Sequence, residues 1–149
     1  MADVVDKATR SRMMSGIRSK DTKPELLVRS ALRKLGLRYR LNDRNLPGKP
    51  DLVFPKYRSV VFVHGCFWHG HNCRYFKWPS TRAEFWRQKI LANCYRDAES
   101  TKRLATAGWR STTVWECELK GQTPEKLNMK FLRIRNWIVK QSSIDPLID

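Results

Sequence analysis

The sequence has no uninterrupted apolar run near the roughly 18 residues of a membrane-spanning helix, so no transmembrane segment is expected. No internal repeat or low-complexity segment stands out. The start, Met1-Ala2-Asp3-Val4-Val5-Asp6, lacks the basic end and apolar stretch of a secretory signal, and a cytosolic setting is expected. Cysteine is scarce, 4 of 149 residues, and in the cytosol such residues read as thiols or metal ligands rather than disulfides. A chain of this length suggests one domain and buries roughly 70% of its unfolded surface, so it needs no disulfide framework. Acidic residues are scarce too: 14 Asp and Glu face 30 Lys and Arg, a formal net charge of +16. That excess argues against a typical metabolic enzyme and for a polyanionic partner, nucleic acid first and an anionic membrane surface second. The hydrophobic share of 41%, with six Trp, six Phe and four Tyr, argues against a disordered basic tail.

Residues 1–20 are polar and basic, with Met13, Met14 and Ile17 scattered among Lys7, Arg10, Arg12, Arg18 and Lys20. They read as an arm outside the core, and residues 21–149 as a single domain. Thr22 and Glu25 have capping-box spacing and Pro24 suits a first turn. Leu26, Leu27, Ala31, Leu32 and Leu35 then recur at helical spacing, and Gly36 can end the helix. Leu37 to Leu41 reads as a strand and Asn42 to Pro50 as a loop. Asp51 to Phe54 and Ser59 to Val63 read as strands joined at Pro55-Lys56-Tyr57-Arg58, the second one apolar enough to be central. Thr81 and Glu84 again have capping-box spacing, opening a helix to about Ala107, with Gly108 as its stop. Trp109 to Trp115 reads as a strand. A closing helix follows Pro124 with Phe131, Ile134 and Ile138 on one face. The expected architecture is α/β, a mixed sheet with helices on its faces.

The chemistry is concentrated between these elements. All three histidines, His64, His69 and His71, share one short segment with Cys66 and Cys73. Zinc prefers four tetrahedral thiolate and imidazole ligands, and this segment offers several. Cys117 could add another if its strand lies beside Val60–Val63. The spacing is no standard finger pattern and leaves the ligand set open; buried thiols with surface histidines are the competing reading. Cys94 reads as a core thiol. A turn centred on Lys56-Tyr57 sets Asp51 opposite Phe62, so its carboxylate approaches the Val63 carbonyl and the His64 ring. Such oxygen ligands suit Mg²⁺, while a turn aspartate bonding its own backbone is the alternative. Phe67-Trp68, within a polar loop, suits either a wedge between bases or packing over the metal site, and Trp86 raises the same choice. Trp109, Trp115 and Trp137 read as core. Arg29, Arg33, Lys34 and Arg38 fit a solvated helix face, whereas Arg10, Arg12, Arg18, Lys20, Arg82, Arg87 and Lys89 are better placed for phosphate.

With these residues in view, the chain resembles the very-short-patch repair (Vsr) DNA mismatch endonucleases of bacteria. The matching stretches are Asp6-Lys7-Ala8-Thr9-Arg10-Ser11, Leu46-Pro47-Gly48-Lys49-Pro50-Asp51, His64-Gly65-Cys66-Phe67-Trp68-His69, Thr81-Arg82-Ala83-Glu84-Phe85-Trp86, and Gly108-Trp109-Arg110 with Val114-Trp115-Glu116-Cys117. The resemblance implies a restriction-endonuclease-like core with a structural zinc site. It implies a Mg²⁺-dependent nick in one strand of duplex DNA, 5′ to the thymine of a T:G mismatch left by 5-methylcytosine deamination. By the same resemblance Cys66, His71, Cys73 and Cys117 hold Zn²⁺, and Asp51 holds Mg²⁺ beside the Val63 carbonyl. His69 activates water, His64 is a second catalytic histidine, and Glu25 and Asp97 support them. Phe67, Trp68 and Trp86 insert into DNA; Met14, Lys89 and Asn93 lie near the mismatched pair; the basic arm clasps the other groove. Implied partners are double-stranded DNA with a T:G mismatch, a DNA cytosine methyltransferase and mismatch-repair or resynthesis proteins, for a monomer in the bacterial cytosol at the nucleoid.

The sequence departs from the wider nuclease pattern. Where many restriction-type nucleases carry Glu-x-Lys, this chain reads Phe62-Val63-His64, so a histidine-centred mechanism is needed. Gly70 stands where other members can carry a further histidine, and residues beyond about 124 resemble the family weakly. Two rivals to the enzyme remain at this level. One is a non-catalytic zinc-stabilised DNA-binding protein, which leaves Asp51, His64 and His69 without a role. The other is a basic structural protein of a ribonucleoprotein assembly.

Overall fold

The structure is a computed structural model that describes residues 21–148, with side-chain burial described through residue 140. The proposed arm 1–20, and Met14 within it, lie outside the described residues.

The first helix, α1, spans Lys23–Lys34 and begins where the sequence places it. The Thr22 hydroxyl accepts the Glu25 N–H at 3.4 Å, and Gly36, at φ +89°, turns the chain away. Its inner face differs from the expectation: Val28 and Leu32 are fully buried, while Leu26 and Leu27 are 48% and 39% exposed. The core-facing stripe is therefore rotated toward Glu25, Val28 and Leu32. The strand expected over Leu37 to Leu41 shrinks to β1, Arg40–Leu41, because Leu37 is drawn into the core.

β2 (Leu52–Phe54) and β3 (Ser59–His64) are antiparallel, with Leu52 opposite Val61 and Val53 opposite Val60. That is the register deduced from the turn. The turn itself is a 3₁₀ segment, Pro55–Tyr57, closed by Arg58 at φ +50°. β4 (Arg110–Trp115) runs parallel to β3, pairing His64 with Trp115 at the far end. The four-stranded mixed sheet has the order β1-β2-β3-β4. Between β3 and β4 the chain forms α2, Ala83–Thr106. The Thr81 capping box does not form: Arg82 occupies the cap position at φ +55° without a side-chain cap, and Glu84 accepts from Gln88 instead. A short helix, α3 (Glu116–Leu119), follows β4, and the closing helix α4 spans Pro124–Ile148.

Alternation along β2 and β3 divides the core. Leu52, Phe54, Val61 and Val63 face α1 and α4, joining Val28, Leu32, Phe131, Ile134 and Ile138. Val53, Val60 and Phe62 face the other way, against Leu104 of α2 with Leu46 and Trp109. Helices thus cover both faces of the sheet. The Arg110 guanidinium ties them together by donating to Ser59 Oγ (2.9 Å), Trp137 O (2.8 Å) and Ile138 O (3.0 Å). None of the described helices is long and apolar enough to cross a membrane.

Candidate active site and metal centre

The parallel pairing of β3 with β4 brings two strand ends together, and the chemistry gathers there. Asp51 stands just before β2, and its carboxylate accepts the Val63 N–H at 2.6 Å. The contact is to the amide N–H; the sequence pointed to the carbonyl of the same residue. Burial pushes the Asp51 carboxyl up to about 7. The Val63 hydrogen bond opposes the rise, the negative charge of Glu25 adds to it, and Arg29 and His69 counter it. Glu25 is 2% exposed and held by three donors: Asp21 N (3.1 Å), Thr22 Oγ1 (3.4 Å) and Arg29 Nη2 (3.0 Å). The residue that braces the start of α1, as the capping-box spacing predicts, is also a buried carboxylate felt by Asp51. Arg29 is not on a solvated face: it bridges Asp21 and Glu25.

Val63, the partner of Asp51, lines a cleft of about 830 Å³ walled also by the first turn of α1, His64, Trp68, His69, Asn93 and Glu116. His69 Nδ1 lies 2.5 Å from Asp97 Oδ2. The rings of His64 and His69 stack at 3.7 Å with 2° between their planes. Burial, and then the charge of His69, lowers the His64 imidazole to about 4, with Asp97 acting the other way. His64 is therefore a neutral imidazole near pH 7.

The second centre lies across Trp115. Donor atoms of Cys66, His71, Cys73 and Cys117 all fall within 4.8 Å of one another, and Cys117 Sγ is 3.5 Å from His71 Nδ1. Tetrahedral zinc with bonds of about 2.3 Å to sulfur and about 2.0 Å to nitrogen needs donor separations of about 3.5–3.8 Å. Three thiols and an imidazole gathered this closely are a donor set that suits that ion. Burial pushes the Cys66 thiol up to about 12, and a cation at the thiolate offsets that cost. The stretch 66–71 is closed by the His71 N–H on Cys66 O at 3.0 Å, with Gly70 N–H on Phe67 O at 3.3 Å.

Phe67, Trp68 and Trp86 form one half-buried aromatic cluster at the rim, with ring centroids 5.3 to 5.6 Å apart. Asn93 Nδ2 donates to Trp68 O at 2.8 Å and so buttresses the cluster from α2. Lys89 is exposed on the same helix. Cys94 is half-buried rather than core, and its thiol donates to His69 O at 3.2 Å.

Two residues of the site escaped the sequence reading. Trp115, read as core, is half-buried; it stacks on His71 at 4.0 Å and meets His64 edge-on at 5.3 Å. Its place at the end of β4, level with His64, was the available signal. Glu116 lines the cleft; it stands within the matching stretch Val114-Trp115-Glu116-Cys117, which attached no role to it.

Comparison with known proteins gives a consistent result. A family model described as DNA mismatch endonuclease Vsr matches residues 2–75. The chain is 50% identical over 140 residues to the DNA mismatch endonuclease Vsr of Escherichia coli (strain K12), covering 93% of this chain and 88% of that protein. It is 50% identical over 119 residues to the type II nicking enzyme V.XorIIP of Xanthomonas oryzae pv. oryzae, covering 80% and 88%. It is 45% identical over 138 residues to the type II nicking enzyme V.NmeAIP of Neisseria meningitidis serogroup A, covering 91% and 99%.

Proposed function

The chain belongs to the DNA mismatch endonuclease Vsr family, and we propose that it nicks one strand of duplex DNA 5′ to the thymine of a T:G mismatch, opening very-short-patch repair. The observation that carries this reading is His69 lining an open cleft with its ring held by Asp97, with the half-buried Asp51 carboxylate bonded to Val63 of the cleft wall and an aromatic cluster at the rim.

Asp97 orients the His69 ring through Nδ1 and leaves the other ring nitrogen to take a proton from attacking water. The imidazolium so formed sits against the Asp97 carboxylate, which stabilises it. His64, kept neutral, positions water or the leaving oxygen instead of carrying charge. Asp51 is an oxygen donor pre-set by the Val63 N–H and faces a second carboxylate, Glu25, a set that suits Mg²⁺. Bound there, Mg²⁺ supplies charge neutralisation at the scissile phosphate. Cys66, His71, Cys73 and Cys117 would hold a structural Zn²⁺, which fixes the loop geometry.

Phe67, Trp68 and Trp86 would wedge beside the mismatch, where a mispaired base costs less to unstack. Asn93 and Lys89 of α2, with Met14 of the arm 1–20, would face the mismatched pair. The +16 charge supplies the salt-dependent, sequence-independent share of affinity. The sheet with helices on both faces supports a restriction-endonuclease-like core in residues 21–149. A single nick requires one active site, in keeping with a monomer acting in the cytosol at the nucleoid. It would act downstream of a DNA cytosine methyltransferase and ahead of mismatch-repair or resynthesis proteins.

The test is a strand-labelled duplex with one T:G pair, incubated with Mg²⁺. A nick 5′ to the thymine, absent from the matched T:A duplex and from the Asp51→Ala variant, is expected. Equal cutting of matched and mismatched duplexes would overturn the mismatch reading.

A further inference from the structure

We propose that His64, His69 and Asp97 form a second transition-metal site, separate from the cysteine cluster, and that a zinc-class divalent ion bound there switches nicking off. The binding half of this proposal stands on geometry alone; the inhibitory half rests on the reading of His69 as the base.

One donor atom from each of the three residues lies within 4.8 Å of the other two. An ion held tetrahedrally about 2.1 Å from each ligand sets its donors about 3.4 Å apart, so binding draws a group already gathered within 4.8 Å closer together. The two imidazoles are stacked, 2° apart and 3.7 Å between centroids, so a ring tilt is what would bring both in-plane lone pairs onto one ion. His64 Nδ1 is buried without a hydrogen-bond partner among the described residues, an outlay that a bound ion removes. All three residues come from anchored places: His64 from the end of β3, Asp97 from α2, and His69 from the loop closed between Cys66 and His71. His64 and His69 line the open cleft, so an ion can enter and keep free positions for water.

The chemistry selects the ion. Two imidazoles and one carboxylate suit zinc, cobalt or nickel, whereas Mg²⁺ demands oxygen ligands and keeps its waters. The site is therefore distinct in preference from the Asp51 carboxylate. Trp115 separates it from the cysteine cluster, stacked on His71 on one side and edge-on to His64 on the other. An ion that takes His69 and Asp97 as ligands occupies the pair that would accept the proton from water. Occupation and catalysis exclude each other, and added Mg²⁺ cannot relieve the block because it does not compete for the same donors.

The experiment uses full-length protein carrying one zinc per chain, in buffer without free metal. Titration with Zn²⁺, followed by calorimetry and elemental analysis, should show a second equivalent. Co²⁺ in that position should give ligand-field bands without thiolate charge transfer. Asp97→Ala and His69→Ala should lose the second equivalent and keep the first, while Asp51→Ala keeps both. Asp97→Asn replaces the alanine variant if that variant loses the first zinc. Nicking by the unaltered protein should fall at least tenfold as the second site fills, and tenfold more Mg²⁺ should not restore it. Absence of a second equivalent, its persistence in both the His69 and Asp97 variants, or its loss in Asp51→Ala overturns the site. Rescue by Mg²⁺ overturns the inhibition. If the protein nicks no T:G duplex at all, the proposed function falls, and the uptake measurement still decides the metal site.

Discussion

Replacing Asp51 by asparagine should abolish Mg²⁺-dependent nicking and, in buffer without Mg²⁺, make the protein more stable. Burial raises this carboxyl from 3.8 to about 7, against the pull of the Val63 N–H and with the push of Glu25. The folded chain therefore keeps the proton to higher pH than the unfolded chain does. The stability tied to this group is complete below about pH 4 and is lost as pH rises toward about 7. At about 1.4 kcal/mol per pH unit, the ionised carboxylate costs about 4 kcal/mol by pH 8, as an upper bound. Asparagine keeps an oxygen for the Val63 N–H and never ionises, so it escapes this cost, less what its own amide N–H₂ loses without an acceptor. The variant should exceed the parent by about 2–4 kcal/mol at pH 8, and the gap should widen by about 2 kcal/mol between pH 5.5 and pH 8. Guanidinium unfolding of the two zinc-loaded proteins measures this, because the cysteine site is common to both and cancels in the difference. Adding Mg²⁺ should narrow the gap by stabilising only the parent. A gap that is flat across this pH range, or a variant less stable than the parent at pH 8, refutes the argument that Asp51 is held ionised against a burial cost.

Three further outcomes follow from the site. Asp97→Asn should lower single-turnover nicking by roughly 10²–10⁴-fold while T:G duplex affinity stays within a few-fold, because the change removes only the carboxylate charge that orients and stabilises the His69 ring; a gel-shift and a rate on the same duplex check it. Cys117→Ser should lose the single zinc by elemental analysis and lower the melting temperature, since the donor facing His71 at 3.5 Å is gone. Gly70→Ala should destabilise by about 1–3 kcal/mol in denaturant unfolding, because φ there is +59° and the new Cβ would meet Ile90 Cγ2 at 2.9 Å and Cys94 Sγ at 3.1 Å.

Local signals in the sequence were read correctly where one physical rule decided the outcome. Thr22 and Gly36 bound α1, Gly108 ends α2, and the turn around Lys56-Tyr57 fixes the register that puts Asp51 next to Val63. Signals failed where tertiary packing chose between equal local options. Leu26 and Leu27 have the same helical spacing as the buried residues, but the helix turns Val28 and Leu32 inward, where they pack with Val61, Val63 and Ile138. The Thr81 box gives way to a cap at Arg82, whose guanidinium lies over the Phe85 ring at 4.3 Å. The grouping of the cysteine site was visible as a cluster of residue types, yet its closure needed the parallel β3–β4 pairing that brings Cys117 to the loop. Trp115 was assigned to the core because strand periodicity marks an inward position without saying whether hydrocarbon or a histidine pair lies there.

The interval between the first two zinc-type ligands explains why one loop carries two centres. Phe67, Trp68 and His69 lie between Cys66 and His71, in a stretch that belongs to no helix or strand. Its internal backbone support is two bonds, His71 N–H to Cys66 O and Gly70 N–H to Phe67 O. Proton transfer needs its base held within a fraction of an ångström, and a stretch of coil this short cannot supply that by packing alone. Fixing both ends of the interval to one ion converts it into a rigid bridge, and the Asn93 amide on Trp68 O and the Cys94 thiol on His69 O add two struts from α2. The ion that would sit at Cys66 and His71 touches no substrate, yet it sets the position of the base and of both wedge residues together. Losing it should therefore depress the rate and the mismatch preference in parallel, while a lesion at Asp97, outside the interval, should depress the rate alone.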